Sequence, residues 1–362
     1  MTKKNLIIFM PSIEGGGVEK NLFIVANYLS KKINNISLIT ASYKYKKKFN
    51  KKINIILPKK KYWDNFSRRL KYLICLLMLF KELIKNRNCI VFAFQANLYC
   101  VLICKLLSTK IIIRSNSAPE GWSKNIIKKM LYKKIINLAD KVMVNSYDFQ
   151  KTMKKNFDIN PVVIYNPLNR SEIIKKSKFK VKKIFPKNCL KIINIGRFVD
   201  QKDQMTLLKS LNIIKNKINF YAIFLGRGIL KNKLINYSNI NGLNNNIKFI
   251  DFQKNPYPYI KHSDIFILSS KYEGLPNVLL EAITLKKFVI SSNCPTGPRE
   301  ILSNGKGGYL FPIGDEKSLS KKIILYNKNK NKKYVKFAYK KLERFDFNAN
   351  LNKYLNLVNS VS

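Results

Sequence analysis

The chain has 362 residues, 46% hydrophobic and 12% aromatic, which is enough apolar material for two cores and too much for a disordered chain. Its 69 Lys and Arg against 20 Asp and Glu give a formal net charge of +49, pointing either to polyanionic company (nucleic acid, an anionic membrane surface, phosphorylated substrates) or to a lysine-rich coding bias that only solvates the surface. Six cysteines without a C-x-x-C pair, and a single histidine, His262, speak against a zinc site and for reduced thiols in a cytosolic protein.

Short β-branched runs alternate with longer segments of helical period along the whole chain, the pattern of βαβ units and parallel sheets. The first run, 5–10, follows Lys3-Lys4 and holds only five apolar residues, Leu6 to Met10, before Pro11, too few for an export signal. Gly15-Gly16-Gly17-Val18-Glu19 comes next and opens an apolar-periodic segment. Glycines there either form a plain strand-to-helix turn or let backbone N–H groups approach a phosphate.

Further strands are expected at 36–40, 89–94, 110–114 and 141–145. The longest apolar run, 72–80, lies between Lys71 and Lys81 and is far short of a bilayer span. Segments 66–85 and 126–139 mix Leu, Ile, Met and Tyr with Lys and Arg at helical spacing, which suits either an ordinary core-facing helix or one lying on an anionic membrane. Residues 169–187 are lysine-rich and weakly patterned, behind the turn-like Tyr165-Asn166-Pro167, and read as part of a linker.

A second series of strands is expected at 191–195, 220–225, 247–249, 265–268 and 288–291. Gly196-Arg197 at the end of the first of these, with Lys202 five residues on and a helix over 204–214, places a forked donor and a point charge where they can converge on a diphosphate. Behind 265–268 comes Ser269-Ser270-Lys271-Tyr272-Glu273-Gly274-Leu275-Pro276-Asn277-Val278, with Pro276 suited to a helix start and Glu281 one turn past Asn277. Two carboxylates so placed, one on a loop and one on a helix, suit binding of sugar hydroxyls.

With these residues the chain resembles the retaining glycosyltransferases of family 4, of the bacterial surface-polysaccharide type. The matching elements are Gly15 to Glu19, Gly196-Arg197 with Lys202, Gly226-Arg227-Gly228, the E-x7-E pair Glu273 and Glu281, the stretch Asn293 to Leu302, and Gly305 to Leu310. The resemblance implies an α/β protein of GT-B fold, two Rossmann-like domains facing a central cleft. The expected boundaries are 1–168 for an acceptor-binding domain, 169–189 for the linker, 190–335 for a nucleotide-sugar domain, and 336–362 for a helical tail packing back on the first domain.

It also implies roles. Arg197 and Lys202 hold the diphosphate and, with Glu273 on the hydroxyls of the transferred sugar, form the catalytic set. Glu281 takes the ribose, and the backbone of Gly274, Leu275, Pro276, Asn277 and Val278 adds donor contacts, with Gly226 beside them and Gly16 and Gly17 closing over the diphosphate. Many members carry a histidine near the transferred sugar; the corresponding stretch here, 113–117, has none, so Arg114, Ser115 or Asn116 is expected to contact sugar or acceptor.

No D-x-D metal motif is evident, so neither metal nor cofactor is expected, and the leaving diphosphate is neutralised by side chains and a helix dipole. The implied reaction moves a hexose or N-acetylhexosamine from a nucleotide-diphosphate sugar, UDP-sugars favoured, to a glycan or lipid-linked oligosaccharide, with retention. The expected location is the cytoplasmic face of the inner membrane, as a peripheral protein. A sugar-nucleotide epimerase of the same fold is the alternative. A nucleic-acid binder has only the charge behind it, without a recognised motif, so no nucleic-acid partner is expected.

Overall fold

The structure, a computed structural model, describes residues 5–116, 125–181 and 184–361. Lys3, Lys4 and Ser117 lie outside them. The chain divides into two compact units, Met1–Pro167 with Phe347–Ser362, and Leu168–Asp346.

In the first unit β1 (Asn5–Phe9), β2 (Ile36–Ile39), β3 (Ile53–Ile56), β4 (Cys89–Ala93), β5 (Lys110–Arg114), β6 (Lys141–Val144) and β7 (Val162–Val163) form a parallel sheet of order β3-β2-β1-β4-β5-β6-β7. The helices are α1 (Gly17–Leu29), α2 (Arg68–Lys85), α3 (Asn97–Leu106), α4 (Ile126–Asn137) and α5 (Tyr147–Phe157).

In the second unit β8 (Leu190–Ile195), β9 (Phe220–Leu225), β10 (Ile247–Ile250), β11 (Ile265–Leu268), β12 (Phe288–Ser292) and β13 (Tyr309–Phe311) are ordered β10-β9-β8-β11-β12-β13, again all parallel. Its helices are α6 (Arg170–Ser177), α7 (Gln204–Ile214), α8 (Lys231–Ile240), α9 (Tyr257–His262), α10 (Asn277–Thr284), α11 (Pro298–Ile301), α12 (Glu316–Asn329) and α13 (Lys332–Lys340), while α14 (Phe347–Asn359) returns to the first unit.

Both sheets are buried on two sides, which is why their strands read as unbroken apolar runs such as Ile111-Ile112-Ile113 and Ile265-Phe266-Ile267-Leu268. In the first unit, Leu6, Ile8, Phe92 and the α1 residues Leu22 and Val25 form one core with Leu351, Tyr354 and Val358 of α14. Ile7, Phe9, Val91 and Ile113 face the other way, onto Cys75 and Leu79 of α2, Cys100 and Cys104 of α3, and Phe149 of α5.

The region read as a linker holds α6, which packs on α9 and α10. Its Ile173 and Ser177 are buried, so residues 170–177 are part of the second unit's body. The tail expected from residue 336 divides in the same way: α13 stays with the second unit, and only residues from Phe347 onward join the first.

Candidate active site

Each sheet reverses its winding once, between β1 and β4 in the first unit and between β8 and β11 in the second. In open α/β sheets the loops leaving the carboxyl ends of the strands at such a reversal diverge and leave room for a ligand. Gly196, Arg197 and Lys202 follow β8 and Glu273 follows β11, so the topology alone brings together residues 71 positions apart in sequence.

Lys202 ends a 3₁₀ turn, Asp200–Lys202, and its Nζ donates to Glu273 Oε1. The side chains of this ion pair are 17% and 8% exposed. Ser270 Oγ donates to the same oxygen at 2.6 Å, so the carboxylate is oriented from two directions. The loop's backbone is fixed as well, since the Glu273 N–H donates to the Pro295 carbonyl at 2.6 Å and Glu273's own carbonyl accepts from Thr296 N–H at 3.1 Å. Lys202's carbonyl accepts from Ser269 Oγ at 3.0 Å, tying the β8 loop to the β11 loop a second time.

Arg197 is exposed on the same loop as Lys202, and its Nη2 makes a long bond of 3.4 Å to Gln201 Oε1. Gln201 in turn donates to the Tyr272 carbonyl at 3.0 Å, and Gln204 to the Arg197 carbonyl at 3.0 Å. The arginine therefore leaves a braced backbone with a solvent-facing guanidinium. Cys294, beside Glu273, has its thiol pushed up to about 12, by burial first and then by the neighbouring carboxylate, so it is an inert wall.

Pro276 precedes α10 in extended conformation, and no side chain caps this helix start. Gly274, Leu275 and Pro276 are buried, while Asn277 and Val278 remain partly accessible. Glu281 is 5% exposed on the second turn and accepts a long 3.5 Å bond from Tyr257 Oη. Two glycines explain how the loops approach one another. A Cβ on Gly226, after β9, would stand 1.8 Å from the Gly196 carbonyl oxygen. Gly297 has φ +87°, and a Cβ there would meet the Gly274 carbonyl at 2.1 Å.

In the first unit Gly15 has φ +87° and Gly16 stands at the start of α1, whose first turn carries Glu19 and no side-chain cap. The Ser12 N–H donates to Gln95 Oε1 at 3.1 Å, joining the loops after β1 and β4 at that unit's own reversal. Arg68, opening α2, grips Glu14 with Nε at 3.1 Å and Nη2 at 2.6 Å.

Arg114 departs from the expectation of a sugar or acceptor contact. It is 1% exposed, with Nη2 donating to Asn166 at 2.8 Å and its guanidinium carbon 5.3 Å from the Phe94 ring centroid, a place in the core of the unit. Ser115 is buried too, and Asn116, which donates to the Phe94 carbonyl at 2.7 Å, keeps part of its surface accessible. The bracing roles of Ser270, Gln201 and Gln204 have little signal in the sequence; that of Ser270 is its place two residues past the fully buried strand β11. A cavity of ≈ 480 Å³ elsewhere in the second unit, walled by Lys306, Phe337, Lys341 and Arg344, includes none of the expected site residues. Among the described residues no group of three His, Cys, Asp or Glu is placed to hold a metal ion.

Two parallel Rossmann-like units of this kind define the GT-B class of glycosyltransferases. The family model described as Glycosyltransferase Family 4 matches residues 15–172, and that described as Glycosyl transferases group 1 matches 175–344. The chain belongs to the family-4 glycosyltransferases.

It is 25% identical to a Campylobacter jejuni N-acetylgalactosamine-N,N'-diacetylbacillosaminyl-diphospho-undecaprenol 4-alpha-N-acetylgalactosaminyltransferase, over 95% of this chain and 96% of that protein. It is 34% identical to an uncharacterized glycosyltransferase of Methanocaldococcus jannaschii over 206 residues, 54% of this chain, and so spans about half (51%) of that relative's length. Among solved structures, a glycosyltransferase from Rickettsia africae matches with a TM-score of 0.80 at 21% identity, covering 100% of this chain and 99% of that one. Anabaena HepE in complex with UDP matches with 0.76 at 16% identity, covering 98% and 100%.

Proposed function

We propose that this glycosyltransferase moves a hexose or N-acetylhexosamine from a UDP-sugar to a lipid-linked glycan, with retention of configuration, in the assembly of a cell-surface polysaccharide. The observation that carries the reading is the buried Lys202–Glu273 pair at the β8/β11 reversal, with the solvent-facing Arg197 beside it. Without donor, the Lys202 ammonium is neutralised by Glu273. A diphosphate entering beside Arg197 offers Lys202 a second anionic partner, and frees one Glu273 lone pair for a hydroxyl of the sugar.

The negative charge that grows on the leaving diphosphate is then met by Arg197, by Lys202 and by the uncapped start of α10, groups fixed before the reaction begins. Backbone N–H groups of Gly274, Leu275, Asn277 and Val278 complete the donor cradle, Pro276 having none to give, and Glu281 takes the ribose. Attack on the same face as departure requires no protein nucleophile. On the acceptor side Asn116, the accessible member of its stretch, is the residue assigned to the glycan. The lipid-linked acceptor is supported by the undecaprenol-linked substrate named for the Campylobacter relative, and by a chain that is basic throughout and suited to a peripheral place on the cytoplasmic face of an inner membrane.

Thermal unfolding of the full chain with UDP, GDP and ADP and their sugar conjugates, with and without magnesium, tests the donor site. Stabilisation selective for uridine ligands, and lost in Arg197→Ala, is the expected result. A folded protein that none of these ligands stabilises would overturn the proposal.

A further inference from the structure

On the outer side of the first unit, α3 packs between α2 and α4. Their inner faces are ordinary: Cys75, Leu79 and Leu83 of α2, Cys100 and Cys104 of α3 and Ile136 of α4 are buried. Their outer faces are not. Leu73 and Leu77 of α2 are 59% and 52% exposed, Leu106 of α3 is 74%, and Ile127 and Met130 of α4 are 77% and 61%. On α2, Leu70, Leu73 and Leu77, and on α3, Tyr99, Leu102 and Leu106, repeat at the three- and four-residue spacing of one helix face. Single exposed apolar side chains are commonplace on soluble proteins, but apolar stripes on three adjacent helices mark a surface that something covers.

The charges say what covers it. Among the described residues of these helices the one acid is Glu82, whereas Arg69, Lys81, Lys85, Lys128, Lys129 and Lys134 are exposed on the same elements. A second copy of the chain would bring like charge to like charge, and a soluble polyanion would leave the leucines wet. A surface that offers apolar depth beneath an anionic layer satisfies both features. No helix among the described residues is long and apolar enough to cross a membrane, so contact is along the surface.

We infer that the outer face of α2, α3 and α4 seats this protein on an anionic bilayer, with Leu73, Leu77, Leu106 and Met130 entering the interface and the lysines meeting lipid phosphates. The inference deepens the proposal of a lipid-linked acceptor and rests on it for its purpose, though not for its physics.

The test is flotation of the full chain with vesicles of phosphatidylcholine alone and of phosphatidylcholine with phosphatidylglycerol, at low and high salt. Wild type is expected on the anionic vesicles, with a residue of binding that survives high salt. Leu73→Ser with Leu77→Ser, and separately Leu106→Ser with Met130→Ser, should each lower partitioning by about tenfold or more, since each removes apolar area from the interface. Both pairs should keep the wild-type unfolding temperature and uridine-ligand shift, because the side chains are exposed and belong to the other unit than the donor residues. Binding that is unchanged in both pairs, or that salt abolishes completely, would overturn the inference. So would a wild type that ignores both vesicles but sediments as a dimer which the serine pairs dissociate. Failure of the uridine shift, by contrast, would strike the donor proposal and leave this face untouched.

Discussion

Removing the Glu273 carboxylate is expected to cost stability as well as turnover. Glu273→Ala strands the Lys202 ammonium in a site where the two side chains are 17% and 8% exposed, and takes away the acceptor of Ser270. Breaking a fully buried pair costs roughly 3–5 kcal/mol; Lys202 keeps a path to water along its stem, which lowers the figure to about 2–3 kcal/mol. For a unit of this size about 2–4 °C is lost per kcal/mol, so the unfolding temperature should fall by about 4–12 °C.

Four variants, Glu273→Ala, Glu273→Gln, Lys202→Ala and the double alanine, separate the terms. Glu273→Gln keeps the shape and the Ser270 bond but not the charge, and should lose less stability than Glu273→Ala while losing as much turnover. Lys202→Ala in the Glu273→Ala background should restore part of the loss, since no unpaired ammonium is left. Thermal unfolding of the full chain by circular dichroism, beside release of UDP from a UDP-sugar, reads both. A Glu273→Ala protein as stable as wild type, or a double variant whose losses simply add, would refute the idea that this pair is one coupled unit.

Further expectations concern the frame around the site. Gly226→Ala drives a Cβ into the Gly196 carbonyl and should cost toward the upper end of the ~1–3 kcal/mol typical of over-packing, whereas Gly242→Ala, with φ +64° and open space, should cost only about 1 kcal/mol in urea unfolding; equal losses would refute the close-approach argument. Burial pushes the Cys75 and Cys104 thiols, like that of Cys294, up to about 12, and Cys89 to about 11. Ellman's reagent should therefore reach only the half-exposed Cys189 in the native protein and all six in denaturant, and rapid native reaction of three or more would contradict the burial. Asp140 is pushed up by burial but held below the ordinary carboxylate range overall, by the Ile111 N–H at 2.9 Å and by Lys105 and Lys110. Its contribution is thus present above the unfolded pKa of about 4 and lost as pH falls through the lower folded value, so Asp140→Asn should flatten the acid limb of the stability curve, and parallel limbs would exclude this.

The strands most legible in the sequence are those buried on both faces and closed by charge or a turn: β9 and β11 begin and end where their apolar runs do, and β5 adds only Lys110 and Arg114 at the ends of its run. β7, two residues long, and β13, whose Tyr309 and Phe311 sit in a glycine-rich stretch, gave too little periodicity to be read, and the run of β3 is short and set among lysines. α6 reads as linker because Ile173 is its one buried apolar anchor; its helix is fixed by packing on α9 and α10, which no local pattern reveals. For the site, the residue types and their places at strand ends were readable, but the pairing of Lys202 with Glu273 is a product of sheet order. The burial of Arg114 is hidden from the sequence for a related reason. A polar residue at a strand end looks ligand-facing until Asn166, 52 residues on, and Tyr354, on a helix beyond the whole second unit, are seen to enclose it.

The path of the chain also sets a schedule for its synthesis. Leu351, Tyr354 and Val358 of α14 belong to the same core as β1 and α1, yet they leave the ribosome only after all of β8 to β13. The first unit to be translated is therefore the one that must wait, holding the apolar groove that will receive α14 open while the second unit, made of one continuous segment, is free to finish. Domains usually fold in the order in which they are made. Here the earlier unit is completed last, and a nascent chain arrested before Phe347 exposes the side of β1 and β4 that α14 would have covered.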